Sequence, residues 1–338
     1  MNFSFKRVLA VIKIRNREFY RDLGALGWVI LFPLIMVLTF GYIFDVDQGE
    51  QYKVGYWGNY TTPEIPHIQW VKYSSQEEAL EKLKYQKIDL AITVGQKPAV
   101  LWSAAKSPKS KLAKEIMHLH LLPEHTSPFY EEQIEGRVLT YLDWVFPGIV
   151  NLNIMFMGLW GVGWVIVRQR KLGVLKRFKA SPLTSFEYLL AQMLSRLIVM
   201  IASSVLVYGV ANIMHPFNIE GSYLDLMIFF IAGSMALSSV GFVFAARMTS
   251  EELCNGILNF ITYPLMFISE IWFSLEGSPE WVKLIANYSP LWQMTDSMRK
   301  IMYEGASLAS LAGSLIYLII FGFVFTLIGS LLFKWNKE

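Results

Sequence analysis

Long stretches without a charged residue constrain this fold more than any other feature of the sequence. A helix of about 20 apolar residues crosses the hydrocarbon core of a bilayer. Only 17% of the 338 residues are charged, against about a quarter in soluble domains. We therefore predict an α-helical polytopic membrane protein with six transmembrane helices, at Leu23–Phe44, Trp144–Val167, Leu197–Met214 with the preceding turns from Leu189, Leu226–Ala246, Leu253–Ser269 and Ala306–Phe333.

Basic residues are concentrated beside particular apolar stretches. Residues 1–22 and the segment 168–184, called the link below, each hold six Lys or Arg, whereas the short connection 215–221 holds none. Lys and Arg in short flanking segments stay on the cytoplasmic side. We therefore predict a multi-pass protein of the inner (plasma) membrane with the link and both termini in the cytoplasm.

The segments outside the apolar stretches have patterns of their own. Residues 3–20 space apolar side chains three and four apart between basic ones, which predicts an interfacial helix; a frayed basic tail is the alternative. Residues 45–140 read as a small extracytoplasmic α/β domain, because strand patterns alternate with a helix that opens at a Ser75–Glu78 capping box. The predicted division is 1–22, 23–44, 45–140, 141–167, 168–184 and 185–338.

Residues suited to catalysis or metal binding are sparse. The single cysteine, Cys254, excludes a disulfide within the chain. His118 and His120 are two apart and point to different sides of a helix, so a zinc site shared with Glu115, Glu124 and His125 is disfavoured. The phosphate-loop pattern of ATPases does not occur in the sequence. We predict a chain that is not an enzyme and binds no metal or cofactor of its own.

The link combines charge with strong local signals. It begins with the basic run Arg168, Gln169, Arg170, Lys171, Leu172, Gly173, Val174, Leu175, Lys176 and Arg177. Ser181-Pro182-Leu183 then ends a helix, and Thr184–Glu187 is a capping box that starts the next one. A short basic helix between two membrane helices suits the transfer of a push from a soluble partner; a simple topology anchor is the alternative.

These features together resemble the transmembrane subunits of type-2 ABC exporters, the ABC-2 permeases. The resemblance covers nearly the whole chain, including Phe146-Pro147-Gly148-Ile149 and the link. It implies that residues 168–177 form the coupling helix that docks on a cytoplasmic ATPase. The family commonly has Gly-Thr-Leu and an acidic residue in this link, where this chain has Gly173-Val174-Leu175 and Gln169.

The resemblance extends to the region before the last span. It implies that residues 270–305 re-enter the membrane from the outer side, with a gate near Pro264, Ser269, Glu270, Pro279 and Pro290. The family commonly has Gly after the serine and Pro four residues later, where this chain has Glu270 and Ser274. Glu270 is read as an interfacial residue of a re-entrant loop, with a substrate or gate contact as the alternative. Arg196 is expected to extend to the inner surface, with an ATPase or lipid contact as the alternative.

The resemblance also implies a function and partners. We expect the permease subunit of an ATP-driven exporter, and the aromatic-rich spans without buried charge favour a hydrophobic or amphipathic cargo, such as a drug or lipid. ATP and Mg²⁺ would bind the partner ATPase, and a second permease copy or sister permease, together with membrane lipid, would complete the assembly without nucleic acid. A membrane-anchored sensor or assembly factor acting through residues 45–140 is the alternative.

Overall fold

The computed structural model describes residues 3–43, 52–58, 62–63, 65, 67–93, 100–104, 107–121, 130–134 and 139–335. The chain forms two compact units, a helical unit of Met1–Thr39, Val145–Phe273 and Lys283–Glu338, and an α/β unit of Phe40–Trp144 and Ser274–Val282. In chain order the elements are α1 (Phe5–Arg21), α2 (Leu23–Ile43), β1 (Tyr52–Trp57), β2 (Ile68–Tyr73), α3 (Gln76–Lys84), β3 (Leu90–Thr93), β4 (Val100–Ala104), α4 (Pro108–Leu121), β5 (Tyr130–Ile134), α5 (Tyr141–Gly158), a π-helical turn (Leu159–Trp164), α6 (Val165–Lys171), α7 (Val174–Lys179), α8 (Ser185–Met214), α9 (Tyr223–Ala245), α10 (Glu251–Ile268), α11 (Glu280–Asn287), α12 (Pro290–Arg299), a second π-helical turn (Lys300–Glu304) and α13 (Ala312–Leu332).

Five helical stretches in the described part of the chain are long and apolar enough to cross a membrane. The predicted fifth span corresponds to α10, which is less apolar than these five stretches. Its first turn contains Glu251 and Glu252, and Asn255 and Asn259 follow. The count of six therefore stays a prediction. The five stretches are Leu23–Tyr42, Tyr141–Lys171, Ser185–Met214, Tyr223–Ala245 and Ala312–Leu332.

Helix α9 is the centre of the helical unit, where it packs against α13 and the first π-helical turn. Small residues allow this contact. A Cβ added at Gly241 would lie 2.9 Å from the carbonyl oxygen of Gly158, and one added at Gly163 would lie 3.1 Å from the carbonyl oxygen of Gly241. Close backbone approach through small residues is the usual way in which membrane helices associate. The glycines at the end of the second predicted span are therefore packing positions.

The N-terminal helix α1 packs along the first turns of α8. Its buried side chains include Val8, Val11 and Phe19, while Phe5 and Leu9 remain exposed beside the basic face. This amphipathic pattern confirms a helix where the sequence analysis places one at residues 3–20. Its exposed apolar side chains suit an interface with lipid.

The α/β unit contains a five-stranded sheet in the order β2-β1-β3-β4-β5. All neighbouring strands are parallel except β3 and β4, which confirms the partly parallel sheet. Helix α3 covers one face with Ala79 and Leu83, and α4 covers the other with Ala113 and Met117. Strand β5 was not predicted from the sequence.

Residues 274–282 belong to the same α/β unit. The Glu276 carboxylate lies 3.1 Å from Lys82 Nζ and accepts a hydrogen bond of 3.4 Å from the Tyr73 hydroxyl. Burial first, and then the Glu276 charge, raise the pKa of Tyr73 well above its usual range. Two segments far apart in sequence are therefore joined through Glu276.

Candidate functional site

The link contains one short helix held between two turns. Helix α6 continues four residues beyond the predicted span and ends at Lys171. Gly173 has a φ of 75°, a left-handed conformation that glycine adopts without steric cost. Its N–H donates to the Arg170 carbonyl at 3.2 Å. After α7, the Ser181 hydroxyl donates to the Phe178 carbonyl at 2.6 Å. Residues 168–177 are therefore not the single helix that the resemblance implies, but the end of α6 and the start of α7 with a turn at Leu172 and Gly173 between them.

Arg170 is buried inside the fold, with 3% of its surface exposed. Its Nη1 donates to the Ala245 carbonyl at 2.7 Å and also to the Met248 carbonyl, and its Nη2 donates to the Ala246 carbonyl at 2.9 Å. Its Nε donates to the Lys334 carbonyl at 2.9 Å. The last carbonyls of a helix lack partners within that helix. The guanidinium therefore joins the end of α9 to the segment after α13.

The other buried link residues hold the link against α8. Leu175 is fully buried, and the Gln169 side-chain oxygen accepts a hydrogen bond of 2.6 Å from the Tyr188 hydroxyl. The Tyr188 ring lies 5.7 Å from the Phe178 ring and 5.6 Å from the Trp335 ring, measured between centroids. Helix α7 is thus fastened to the start of α8 and to the segment after α13.

The outward side of the link is basic. Of the ten residues predicted to contact a partner, Gln169, Arg170 and Leu175 are buried, and Gly173 and Val174 are partly buried. Leu172 is 66% exposed and lies among the cations. The side chains available to a partner are Arg168, Lys171, Leu172, Lys176 and Arg177.

Lys171 connects this surface to the start of α10. Its Nζ lies 3.2 Å from Glu251 Oε1 and 3.9 Å from Glu252 Oε1. The Ser250 hydroxyl donates to Glu252 at 2.7 Å. These hydrogen bonds and the Lys171 charge lower the pKa of Glu252. The link and α10 thus share an ionic contact at one end of the helical unit.

The first π-helical turn lies between α5 and α6, three residues before the link. Arg196 Nε donates to the Gly161 carbonyl at 2.8 Å, and its guanidinium lies 4.9 Å from the centre of the Phe19 ring. Trp160 Nε1 donates to the Asn255 side chain of α10 at 3.2 Å. Arg196 is 7% exposed, so the expectation that it extends to the inner surface is wrong. π-Helical turns are frequent at functional sites.

Glu187 joins α1 to the start of α8. The Thr184–Glu187 capping box is formed in full, as predicted. The same carboxylate also accepts hydrogen bonds from Arg7 Nη2 at 2.6 Å and from the Ser4 N–H at 2.7 Å. The sequence analysis found Glu187 as a cap but missed these partners, which are about 180 residues away.

The predicted gate residues are only partly brought together. Glu270 follows α10 with a φ of 53°, and the buried Arg299 donates from Nη2 to its carbonyl at 2.8 Å. Arg299 Nη1 also lies 3.9 Å from Glu270 Oε2. The Ser269 and Ser289 hydroxyls are 3.2 Å apart, and Pro290 occupies the first turn of α12. Arg299 was not predicted, because nothing in the sequence indicates which base would pair with Glu270.

The remaining predicted gate residues lie elsewhere. Pro264 is exposed within α10, whereas Pro279 belongs to the α/β unit. Across the described residues, no group of three or more His, Cys, Asp or Glu side chains could hold a metal ion. The side chains of His118 and His120, and Glu124 and His125 altogether, lie outside the described part.

Comparison with known proteins assigns the family. The model of the family described as "ABC-2 family transporter protein" matches residues 24–331. This chain belongs to the ABC-2 transporter family. The resemblance drawn from the sequence is thereby confirmed, and the apolar helices agree with a multi-pass membrane protein.

One relative of this chain is the daunorubicin resistance ABC transporter permease protein DrrB1 of Streptomyces coeruleorubidus. It is 25% identical to this chain over 172 residues, which are 49% of this chain. The match covers 59% of the relative's own length. ABC-2 permeases are transmembrane subunits that do not themselves bind cofactors and normally work with a separate cytoplasmic ATPase.

Proposed function

We propose that this ABC-2 permease is the membrane subunit of an ATP-driven exporter and that the exposed side of its link docks on the cytoplasmic ATPase. One observation carries the proposal: the link presents Arg168, Lys171, Lys176 and Arg177 outward while Leu175 fixes it from behind. A surface that must both bind a partner and transmit its motion needs exposed contacts on a rigidly held element.

The contacts behind the link supply a route for that motion. A push on the link acts on α8 through the Phe178 and Tyr188 rings, and on α10 through Lys171 and Glu251. The π-helical turn before α6 also contacts α10, through Trp160 and Asn255. Packed helices respond to such a push as units. Closure of the ATPase on ATP would therefore move α10 together with the link.

Helix α10 has features of a surface that faces a second permease copy. Phe260, Tyr263 and Phe267 follow one another at spacings of three and four and are 80%, 55% and 51% exposed. Opening a path between two copies, identical or sister, places this aromatic face along the path. Movement of α10 would be transmitted at its first turn through Glu251, which contacts the link, and just beyond its last turn through Glu270, which pairs with Arg299.

The cargo that we propose is hydrophobic or amphipathic. The relative from Streptomyces coeruleorubidus is described as a daunorubicin resistance permease. In this chain the aromatic face of α10 offers stacking surface and few charges, which suits an apolar or aromatic molecule better than a sugar or ion.

The proposed orientation follows the basic residues. The link and residues 1–22 would lie in the cytoplasm of the cell bounded by the inner membrane, because both are rich in Lys and Arg. The α/β unit would then be extracytoplasmic, and residues 270–305 would form an outer re-entrant segment that starts at Glu270, directly after Ser269.

Affinity purification tests this function. The tagged protein is isolated in mild detergent, copurifying proteins are identified, and ATP hydrolysis is measured. We expect a phosphate-loop ATPase with the unmodified chain and its loss with the double variant Lys176→Glu, Arg177→Glu. The control makes the same charge change at two exposed lysines of the α/β unit, Lys72→Glu and Lys111→Glu.

Two results would contradict the proposal. One is a folded, monodisperse chain that brings down no ATPase. The other is an ATPase that is lost equally from both double variants, since the link would then have no special part in docking. The first result would instead favour a sensor or assembly factor that acts through the α/β unit.

A further inference from the structure

A cavity of about 140 Å³ lies in the helical unit, at the end remote from the link. It is bounded by α5, α8, the start of α9, the end of α12 and the second π-helical turn. Its lining is almost entirely apolar and includes Phe146, Val150, Phe230, Met298 and Met302. An apolar cavity of about 150 Å³ stays dry and accepts a benzene-sized apolar group. This cavity therefore suits a short length of hydrocarbon rather than water.

The cavity opens on a surface that meets lipid. Val205 and Tyr223 line it and are 58% and 64% exposed. Both belong to helices apolar enough to span a membrane, and the neighbouring Leu206 and Leu224 are exposed as well, 45% and 68%. Exposed apolar side chains on such helices face the hydrocarbon of the bilayer. An acyl chain of the surrounding lipid is therefore the molecule positioned to enter.

Polar groups at the cavity are few and are all hydroxyls. The Tyr208 and Tyr223 hydroxyl oxygens are 3.3 Å apart. Tyr208 lies one helical turn along α8 from Ser204. The Ser204 side chain lines the cavity with 9% of its residue surface exposed, and its buried hydroxyl has no hydrogen-bond partner within the protein. A buried hydroxyl left unpaired is costly. The Tyr208 and Tyr223 hydroxyls share one hydrogen bond, so one of the two keeps a hydrogen to donate, as does Ser204, and an ester carbonyl has two lone pairs to accept these hydrogen bonds.

We propose that this cavity binds one acyl chain of a membrane glycerophospholipid, with the chain between α5, α8 and α9 and its ester at Ser204, Tyr208 and Tyr223. The lipid is a resident structural ligand rather than cargo. The proposal depends only on the membrane location of these helices, so it stands or falls independently of ATPase docking.

Photolabelling tests the site. The full chain is reconstituted in nanodiscs of phosphatidylcholine that contain a small fraction of phosphatidylcholine with a diazirine close to the ester end of its acyl chain. After irradiation, adducts are located by peptide mass spectrometry. We expect adducts on Met298 and Met302, which are only 7% and 3% exposed and can be reached from the cavity. Adducts on Leu318, a fully buried residue of α13 away from the cavity, provide the background.

Matched variants show whether the lipid probe reaches Met298 and Met302 through the cavity. Val205→Trp fills the mouth and should lower the Met298 and Met302 adducts several-fold. Leu206→Trp makes the same change at the next exposed position, outside the cavity, and should leave them unchanged. Ser204→Ala keeps the cavity open and should lower them about fivefold, the factor for one neutral hydrogen bond.

Three results would overturn the proposal. Adducts on Met298 and Met302 no more abundant than those on Leu318 would mean that no acyl chain enters. Equal effects of Val205→Trp and Leu206→Trp would mean that entry does not pass this mouth. Unchanged labelling in Ser204→Ala would remove the proposed ester contact. Adducts on the exposed α13 surface, at Ile319 and Phe323, should be the same in every variant and report that each is folded and embedded.

Discussion

Replacing Arg170 separates a structural role from a docking role within the link. The resemblance to ABC-2 permeases assigns Arg170 to ATPase contact, whereas its guanidinium donates to four backbone carbonyls of the chain itself. In Arg170→Ala these carbonyls lose their partner, and the ends of α9 and of the segment after α13 are no longer joined. The exposed Arg168 holds its guanidinium 5.2 Å from the centre of the Trp164 ring and provides the matched control.

The size of the effect follows from those contacts. A hydrogen bond from a charged donor contributes about 1.5 kcal/mol at the low end of its range, so four of them give about 6 kcal/mol. Water that enters at the helix ends replaces part of this hydrogen bonding, so the free energy of unfolding should fall by about 3–6 kcal/mol. An exposed cation–π contact contributes about 0.5–1 kcal/mol, so Arg168→Ala should destabilise the protein far less.

Thermal unfolding in detergent, followed by tryptophan fluorescence, measures both variants, and copurification of the ATPase is scored on the same samples. Each kcal/mol corresponds to roughly 2–4 °C in midpoint, so Arg170→Ala should unfold many degrees lower than the parent. At low temperature, where both variants are folded, only Arg168→Ala should weaken ATPase binding directly. The reasoning would be refuted if the two variants unfolded at the same temperature, or if Arg170→Ala lost the ATPase without losing stability.

Two further substitutions test the packing of the helical unit. Glu187→Gln weakens the ionic contact between α8 and α1, so hydrogen exchange in α1 should rise severalfold, whereas Glu252→Gln at an exposed carboxylate should leave it unchanged; equal exchange in both would contradict the role of Glu187. Gly241→Ala places a Cβ 2.9 Å from the Gly158 carbonyl and should cost about 1–3 kcal/mol in thermal unfolding. Gly256→Ala, whose Cβ would meet no atom within 4 Å, should cost nothing, and a similar loss in both would refute close packing at Gly241.

Patterns that depend on near neighbours were readable without the structure. The Thr184–Glu187 capping box, the end of the link helix before Pro182 and the amphipathic helix α1 follow from residues within a few positions of one another. The apolar stretches likewise gave the long helices to within a few residues, because a span needs only length and hydropathy. The α/β unit was recognisable because strand and helix periodicities differ.

Interpretations that depended on what a charged side chain meets were less successful. Arg170 and Arg196 read as surface residues in a basic context, yet both are buried and donate to backbone carbonyls. Glu270 was isolated in the sequence, and its partner Arg299 is 29 residues away. The partners are backbone groups or distant side chains, which leave no local pattern to detect.

The sequence by itself determined that this chain is a multi-pass membrane protein with a basic, rigid link and a small α/β unit, since hydropathy, charge and capping act over short distances. The tertiary structure alone decided which of the link residues face outward, which cations serve the fold, and where the apolar cavity lies. Those properties arise when helices separated by many residues come into contact, and burial then gives the same side chain a different chemical role.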